Sequence, residues 1–350
     1  IFVAVNIHEK YIKRCLQLAE NGLGSTYPNP MVGSVIVYKN QIIGEGWHQK
    51  AGEPHAEVNA VNSVKNRDLL KKSTIYVSLE PCSHFGKTPP CSDLIIAKGI
   101  KKVVVATVDP FAEVAGRGIK KLMEAGCDVT LGVLEQEAQH LNKRFFTFHN
   151  KKRPYIILKW AQSEDGFIAP LQRKDRAPVW ISNRYSKQLV HKWRAEEQAI
   201  LVGTKTAIED NPKLNTRLYA GNNPVRVVID RSGKIPAASA IFDGSIKTII
   251  ITENNQKITS KNLEYRHADF SQNLPEQIGS ILFQENLQSV IIEGGLQTLQ
   301  SFIDAKLWDE ARVFSGNVQL KMGVSAPKFQ GKLISEEKIE DNLLKTYLND

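Results

Sequence analysis

The chain has 350 residues, a length typical of two domains. Its composition, 42% hydrophobic and 24% charged, is that of an ordinary soluble globular protein, and no apolar run approaches the ~20 residues that a membrane-spanning helix needs. The formal net charge of +9 suits nucleic acid or small phosphorylated ligands, and the basic residues are scattered in pairs, which favours the latter. Four cysteines are too few for a disulfide framework, so we expect a reducing, cytoplasmic compartment.

The first half of the chain alternates between helical and strand patterns. A helix is predicted to end at Gly22, and the run that follows indicates a hairpin that bends at "KNQ", residues 39–41. Further elements are then predicted in the order helix 55–65, strand 74–79, helix 91–99, strand 101–109, helix 118–126 and strand 128–133. Strands separated by helices of about ten residues predict a layered α/β sandwich.

A second α/β series begins after a helix that runs into a basic linker ending at Pro154. Buried strands are predicted at "YIILKWA", "AILVGT", "VRVVID", "TIIIT" and "SVIIEGG", with later strands around 311–314 and 345–348. We therefore expect one domain over residues 1–150 and another over residues 151–350.

The loop "EPCSHFGKTPPC" contains Cys82 and Cys91, and "EPHAEVNA" upstream contains His55 and Glu57. A catalytic zinc ion takes three protein ligands and leaves one position for water, and His55, Cys82 and Cys91 would supply those three. Glu57 would stand nearby as the proton shuttle. The pattern matches the zinc nucleobase deaminases in H-x-E and Pro-Cys, although a longer loop replaces their C-x-x-C.

"TYPNPMVG", "GEGWHQKAGEPHAE", "EPCSHFGKTPPC" and "DPFAEVAGRG" together resemble the bifunctional deaminase–reductases of riboflavin biosynthesis. The resemblance covers nearly the whole chain and implies a cytidine-deaminase-like three-layer α/β/α domain at the N-terminus. It implies a pyrimidinone substrate carrying a ribosyl 5-phosphate. By the same resemblance, the substrate contacts are Asn29, His48, His84 and Lys87.

The second half carries "LKWAQSEDGFIA", "VWIS", "ILVGTKTAIEDNPKLNTR" and "VRVVIDRSG" in the order of the riboflavin-pathway reductases, which resemble dihydrofolate reductase in fold. A strand ending at Glu293, two glycines and a helix start also suit a phosphate. The implied NADPH contacts are Ala161, Trp180, Thr206, Asp210, Arg231, Gly295, Leu296, Gln297, Thr298, Leu299, Gln300 and Ser301. The implied reductase substrate contacts are Lys159, Pro178, Arg194, Leu214, Arg217 and Glu293.

The resemblance thus implies zinc-dependent deamination of a small phosphorylated pyrimidine, followed by NADPH-dependent reduction of its ribosyl group. No nucleic acid or membrane partner is expected, and the family tends to form homo-oligomers, here a dimer or tetramer. One alternative is a nucleic-acid-editing zinc deaminase with an accessory binding domain, which would need stacking aromatics beside a basic groove. Another is a structural zinc module, which would need four protein ligands; only His84 offers a fourth beside the two cysteines.

Overall fold

The computed structural model describes residues 6–85, 89–111, 115–171, 180–254 and 261–349. The chain divides into two compact units, Ile1–Lys151 and Lys152–Asp350. None of the helices within the described ranges is both long enough and apolar enough to cross a membrane.

The first unit alternates short strands with helices that cover both faces of a sheet. Its elements are α1 (Ile7–Glu20), β1 (Gly33–Tyr38), β2 (Gln41–Trp47), α2 (Ala56–Ser63), β3 (Thr74–Val77), α3 (Cys91–Ala97), β4 (Lys102–Val105), α4 (Arg117–Glu124), β5 (Asp128–Leu131), α5 (Glu135–Leu141) and α6 (Lys143–Lys151).

The five strands of this unit lie in the order β2-β1-β3-β4-β5. The predicted hairpin is present: β1 and β2 are antiparallel, and the turn residues Lys39 and Asn40 both have positive φ, as a two-residue hairpin turn requires. Strands β3, β4 and β5 run parallel. Alternate strand residues point to opposite faces, so Val104 packs in the core under α1 and Val105 in the core under α2, α3 and α4. This is a three-layer α/β/α sandwich.

The second unit follows the same layered plan with a larger sheet. Its elements are β6 (Tyr155–Gln162), β7 (Phe167–Pro170), α7 (Arg184–Glu196), β8 (Ala199–Gly203), α8 (Thr204–Asp210), β9 (Val225–Ile229), β10 (Thr248–Thr252), β11 (Leu263–His267), α9 (Leu274–Gln284), β12 (Ser289–Gly294), α10 (Leu296–Asp304), β13 (Glu310–Ser315), β14 (Gly323–Ser325), β15 (Lys332–Ile339) and β16 (Asn342–Leu348).

Nine of these strands form one sheet in the order β11-β10-β9-β8-β12-β6-β13-β16-β15. The strands from β11 to β13 are parallel. Four of them, β8, β9, β10 and β12, are mostly buried on both faces, which explains their largely apolar sequences. Helices α9 and α10 pack on one face, while α7 and α8 pack on the other. The carboxyl ends of β6, β8 and β12 therefore lie at one edge of the sheet, where ligands bind in open α/β folds.

Candidate active sites

The three predicted zinc ligands converge in the first unit. His55 is the residue before the first turn of α2, Cys91 is the first residue of α3, and Cys82 lies in the loop after β3. The His55 Nδ1 atom lies 3.4 Å from the Cys91 Sγ atom and 3.6 Å from the Cys82 Sγ atom. All three ligand atoms lie within 4.8 Å of one another.

This arrangement fits a zinc ion. For tetrahedral zinc with Zn–S bonds of about 2.3 Å and a Zn–N bond of about 2.0 Å, the nitrogen and sulfur atoms should be about 3.5 Å apart. The observed separations of 3.4 and 3.6 Å agree with that value. Hydrogen bonds with Cys91 and His55 also lower the pKa of Cys82, which favours the thiolate that binds metal. Within the described residues this cluster has three members, and His84 is not one of them.

Glu57 lies in the first turn of α2, two residues after His55, and is buried. Burial is the main reason that its pKa is raised above the usual range of a glutamate. The Cys82, His55 and Cys91 side chains all influence this pKa, which places the Glu57 carboxyl group beside the metal ligands. A carboxyl group with a raised pKa at this position can both accept and release a proton.

Asn29 and His48 are brought together beside the ligand cluster. The His48 ring is buried 5.4 Å from the His55 ring, measured between centroids. Its Nδ1 lies 3.2 Å from the Pro54 carbonyl oxygen, which can only accept, so Nδ1 donates. Its Nε2 lies 3.1 Å from the Asn29 Nδ2 and therefore accepts. Burial lowers the His48 pKa, which is consistent with this neutral tautomer.

The two remaining predicted contacts of the deaminase substrate are placed differently. His84 is exposed in the loop after Cys82, and Lys87 lies outside the described residues. Sequence reasoning missed Asp109, which is 8% exposed and lies just beyond β4. Burial raises the pKa of Asp109 to about 6, and the charges of His84 and Cys82 both act on it. Its position at the carboxyl end of a parallel strand was the available signal.

A buried carboxylate, that of Glu80, holds the backbone around Asp109. Its Oε2 accepts N–H groups from Asp109 at 3.3 Å and Gly116 at 2.8 Å. Its Oε1 accepts those of Gly118 at 2.8 Å and Ile119 at 3.3 Å. Because Glu80 is followed directly by Pro81 and Cys82, it joins the metal loop to the start of α4.

In the second unit, the start of α10 forms a cradle of small residues. β12 ends at Gly294, whose φ of +118° favours glycine, and Gly295 precedes α10. A Cβ atom on Gly295 would lie 3.2 Å from the Thr206 Oγ1, and one on Gly203 would lie 2.5 Å from the Thr298 Oγ1. The beginnings of α8 and α10 therefore approach closely, and the free N–H groups of α10 can bind a phosphate. This cradle fits the pyrophosphate of a dinucleotide.

The other predicted NADPH contacts differ in accessibility. Trp180 is 55% exposed, with the Lys187 Nζ 3.4 Å from its ring centroid, and Arg231 is exposed and donates to Glu253 at 2.8 Å. Further along α10, side chains are engaged within the protein: Leu299 lies in the core, Gln300 donates to Asp304 and to the Lys328 carbonyl, and Ser301 donates to the Thr298 carbonyl. Ala161, Asp210, Leu296 and Gln297 lie on β6, α8 and α10.

Three of the predicted reductase substrate residues form a charged cluster. Arg194 on α7 donates to both carboxylate oxygens of Glu293 on β12, at 2.7 and 3.3 Å. Burial alone would raise the pKa of Glu293, but the charges of Arg194 and Lys159 outweigh it and lower the pKa to about 2. Burial, in turn, lowers the pKa of Lys159. Glu293 is therefore ionised and can accept hydrogen bonds from a ligand.

The segment after α8 carries two more predicted substrate residues. Leu214 is buried and has a φ of +50°, while Arg217 is exposed. The backbone N–H of Arg217 donates to the Nδ1 of His191, a buried residue on α7 that sequence reasoning did not identify. Pro178 lies outside the described residues.

Two family models match the chain. The cytidine and deoxycytidylate deaminase zinc-binding region matches residues 5–107, and the RibD C-terminal domain matches residues 154–342. The riboflavin biosynthesis protein RibD of Aquifex aeolicus is 40% identical over 94% of this chain and 89% of its own length. Its counterpart in Escherichia coli is 36% identical over 87% and 86%.

Solved structures agree with these matches. The diaminohydroxyphosphoribosylaminopyrimidine deaminase/5-amino-6-(5-phosphoribosylamino)uracil reductase of Thermotoga maritima superposes with a TM-score of 0.88 at 36% identity, covering 98% of this chain and 99% of that one. Acinetobacter baumannii RibD gives 0.88 at 30% identity with the same coverage.

The predicted fold class and the bifunctional deaminase–reductase function are confirmed. The implied cofactors are confirmed as well: zinc belongs to the deaminase domain and NADPH to the reductase domain. The enzyme acts on small molecules, so the nucleic-acid-editing alternative is wrong. The chain belongs to the RibD family of bifunctional deaminase–reductases of riboflavin biosynthesis.

Proposed function

We propose that the first unit hydrolytically deaminates 2,5-diamino-6-ribosylamino-4(3H)-pyrimidinone 5′-phosphate to 5-amino-6-(5-phosphoribosylamino)uracil. The observation that supports this reaction most strongly is that three metal-binding side chains converge beside a buried carboxyl group. His55, Cys82 and Cys91 would hold zinc, and Glu57 lies beside them. The reaction also matches the name of the Thermotoga maritima protein, to which this chain is similar along its whole length.

Each of the site residues in the first unit would have a separate role in deamination. When bound, zinc makes water nucleophilic at neutral pH. Glu57 would take one proton from the attacking water and deliver it to the ring nitrogen, and would then carry the proton of the newly formed hydroxyl group to the amino group, which leaves as ammonia. Asn29 and His48 would orient the pyrimidine ring, and His48 is held as one neutral tautomer for this purpose. His84 and Lys87 would contact the ribosyl phosphate.

In the second unit, the proposed reaction is NADPH-dependent reduction of the ribosyl group to a ribityl group. NADPH supplies the hydride, and the protein aligns it with the sugar carbon C1′. Arg217 would bind the ribosyl phosphate through its fork of N–H donors. Arg194, whose guanidinium donates to Glu293 and to the Asn215 carbonyl, would add positive charge beside the phosphate. The ionised Glu293 would accept hydrogen bonds from amino or hydroxyl groups of the substrate, with Lys159, Leu214 and Pro178 completing the pocket.

NADPH would lie with its pyrophosphate at the start of α10. The proposed contacts are Gly295 and the following residues to Ser301, together with Thr206 and Asp210 on α8. Because the side chains of Leu299, Gln300 and Ser301 are engaged within the protein, the N-terminal turn of α10 would supply most of the binding. The remaining contacts would be Ala161, Trp180 and Arg231.

We further propose that each activity is confined to one domain, with the boundary near residue 150, and that the enzyme works in the cytoplasm as a homo-oligomer, a dimer or tetramer. The division rests on the positions of the proposed sites: the metal ligands all precede residue 92, and the proposed NADPH contacts all follow residue 160.

The purified chain should be assayed with the diaminopyrimidinone phosphate, with and without NADPH, following ammonia release and NADPH absorbance together. Ammonia should appear whether or not NADPH is present, and NADPH should be consumed only as the deaminated product accumulates. Absence of ammonia release from a zinc-loaded chain would contradict the proposed first reaction. Release without later NADPH consumption would contradict the second.

A further inference from the structure

The segment that follows α8 carries proposed substrate residues on an irregular backbone. Asn211 and Leu214 both have positive φ, at +41° and +50°, a conformation that costs energy for residues other than glycine. Such a backbone persists only where surrounding contacts hold it. Arg217, which would bind the substrate phosphate, lies three residues beyond Leu214 and is exposed.

Helix α7 supplies two of the contacts that hold this segment. Arg194 donates from Nη1 to the Asn215 carbonyl oxygen at 3.2 Å. His191, almost one turn earlier on the same helix, accepts the Arg217 backbone N–H on its Nδ1 at 3.1 Å. His191 is 4% exposed, so its imidazole ring is a fixed part of this arrangement. Arg194 also binds Glu293, which means that α7 connects the segment to the charged cluster.

The Nδ1 atom of His191 can accept this hydrogen bond only while the ring is neutral, because both nitrogens of a protonated imidazole carry hydrogen. Its charged surroundings favour the neutral form. Burial, followed by the positive charges of Arg194 and Arg217, lowers the His191 pKa to about 4. The charge of Glu293 and a hydrogen bond with the Asn215 backbone oppose this shift but are smaller. The remaining basic group of the cluster is Lys159, whose pKa is lowered by burial, and it adds no negative charge that would favour a protonated His191. The acceptor is therefore available throughout the neutral range.

We propose that His191 is a positioning residue of the reductase site, which accepts the Arg217 backbone N–H and thereby holds the Arg217 side chain where it binds the substrate phosphate. This inference rests on the reductase function proposed above. It assigns His191 no proton transfer and no contact with substrate. The residue acts through the backbone of Arg217, so its loss should affect substrate binding more than the rate of hydride transfer.

Two substitutions separate the hydrogen bond from the bulk of the side chain. In His191→Asn, Oδ1 stands the same number of bonds from the backbone as Nδ1 and can accept the same N–H. In His191→Leu, an apolar side chain occupies the same place but has no atom that can accept a hydrogen bond. Steady-state NADPH oxidation with the aminouracil phosphate gives KM and kcat, and ammonia release by the same preparation is the control for an intact chain.

We expect His191→Leu to raise KM for the aminouracil phosphate by about 3- to 10-fold, the loss of one hydrogen bond, with little change in kcat, in KM for NADPH or in deamination. His191→Asn should restore KM to nearly the wild-type value. As pH falls from 5 to 4, the KM of the wild type should rise through protonation of His191, whose pKa is about 4, beyond any rise in His191→Asn, since asparagine does not titrate.

Equal KM values for the two variants would overturn the inference, as would a loss confined to kcat. Should His191→Leu fail to fold, the pH dependence of KM between pH 7 and pH 4 in the wild type and in His191→Asn still tests the inference: identical profiles down to pH 4 would contradict a role for neutral His191. A wild-type chain that oxidises no NADPH with the aminouracil phosphate would instead overturn the proposed reductase function, and this inference with it.

Discussion

Replacing Glu80 with glutamine should loosen the backbone beside the metal loop. The carboxylate is buried and accepts four backbone N–H groups, two on each oxygen. Glutamine has one acceptor oxygen, and its Nε2 carries only donors. If Oε1 keeps Gly118 and Ile119, the N–H groups of Asp109 and Gly116 face an NH₂ group and lose their partner.

The size of the effect follows from these contacts. A hydrogen bond to a charged group contributes about 1.5–3 kcal/mol, so losing two costs about 3–6 kcal/mol. The longer bond, from Asp109 at 3.3 Å, places the total nearer the lower figure. A loss of about 3 kcal/mol raises the equilibrium constant for local opening roughly 100-fold.

Hydrogen–deuterium exchange measured on peptides covering residues 115–124 reports this opening directly. The peptides should exchange roughly 100-fold faster in Glu80→Gln than in the wild type, and deamination should fall while reduction does not. Asp93→Asn is a matched control, because it makes the same chemical change in the partly exposed pair with Lys121. An ion pair of this kind contributes at most about 1 kcal/mol to stability, so the exchange rate of these peptides in Asp93→Asn should change by less than about fivefold. If Glu80→Gln and Asp93→Asn exchange alike, the carboxylate does not hold this segment.

Three further outcomes are expected. Elemental analysis should find about one zinc per chain, and a strong chelator should abolish ammonia release while sparing NADPH oxidation; full deamination without metal would contradict this. Arg217→Ala should raise the reductase KM by about 10- to 100-fold, the value of a charge-assisted phosphate contact, and leave deamination intact; an unchanged KM would refute the phosphate role. The His191 pKa of about 4 in the folded chain lies below its ordinary 6.5, so the unfolded chain binds the proton first. Stability should be full above pH 6.5 and decline towards pH 4, by about 2 kcal/mol at pH 5. The urea midpoint should therefore fall less between pH 7.5 and pH 5 in His191→Asn than in the wild type, and equal falls would argue against this cause.

Much of the fold was predictable because buried strands and helices have recognisable patterns of apolar residues in the sequence. The parallel strands β8, β9, β10 and β12 are continuous apolar runs, and each was expected near its observed position. Strand β15, "KLISEEKI", was not predicted, because it is an exposed edge strand whose residues are mostly polar. Its strand conformation depends on pairing with β16, which no local pattern records.

The residues of the candidate sites likewise include some that the sequence could identify and some that it could not. His55, Cys82 and Cys91 could be found because zinc restricts its ligands to a few residue types. Glu80 and His191 could not, since their contacts are with backbone N–H groups, which every residue except proline possesses. The partner of His191 is 26 residues away in the chain, so only the folded structure identifies it.

The central claim is that one chain carries two separate active sites, and the variant Glu57→Gln tests it most directly. The purified variant should be supplied in parallel with the diaminopyrimidinone phosphate, following ammonia, and with the aminouracil phosphate and NADPH, following absorbance. We predict that zinc content is unchanged, that ammonia release falls by roughly 10²–10⁴-fold, the scale of a lost general acid–base group, and that NADPH oxidation continues at the wild-type rate. Wild-type ammonia release, or loss of both activities in a chain that remains folded, would contradict the account.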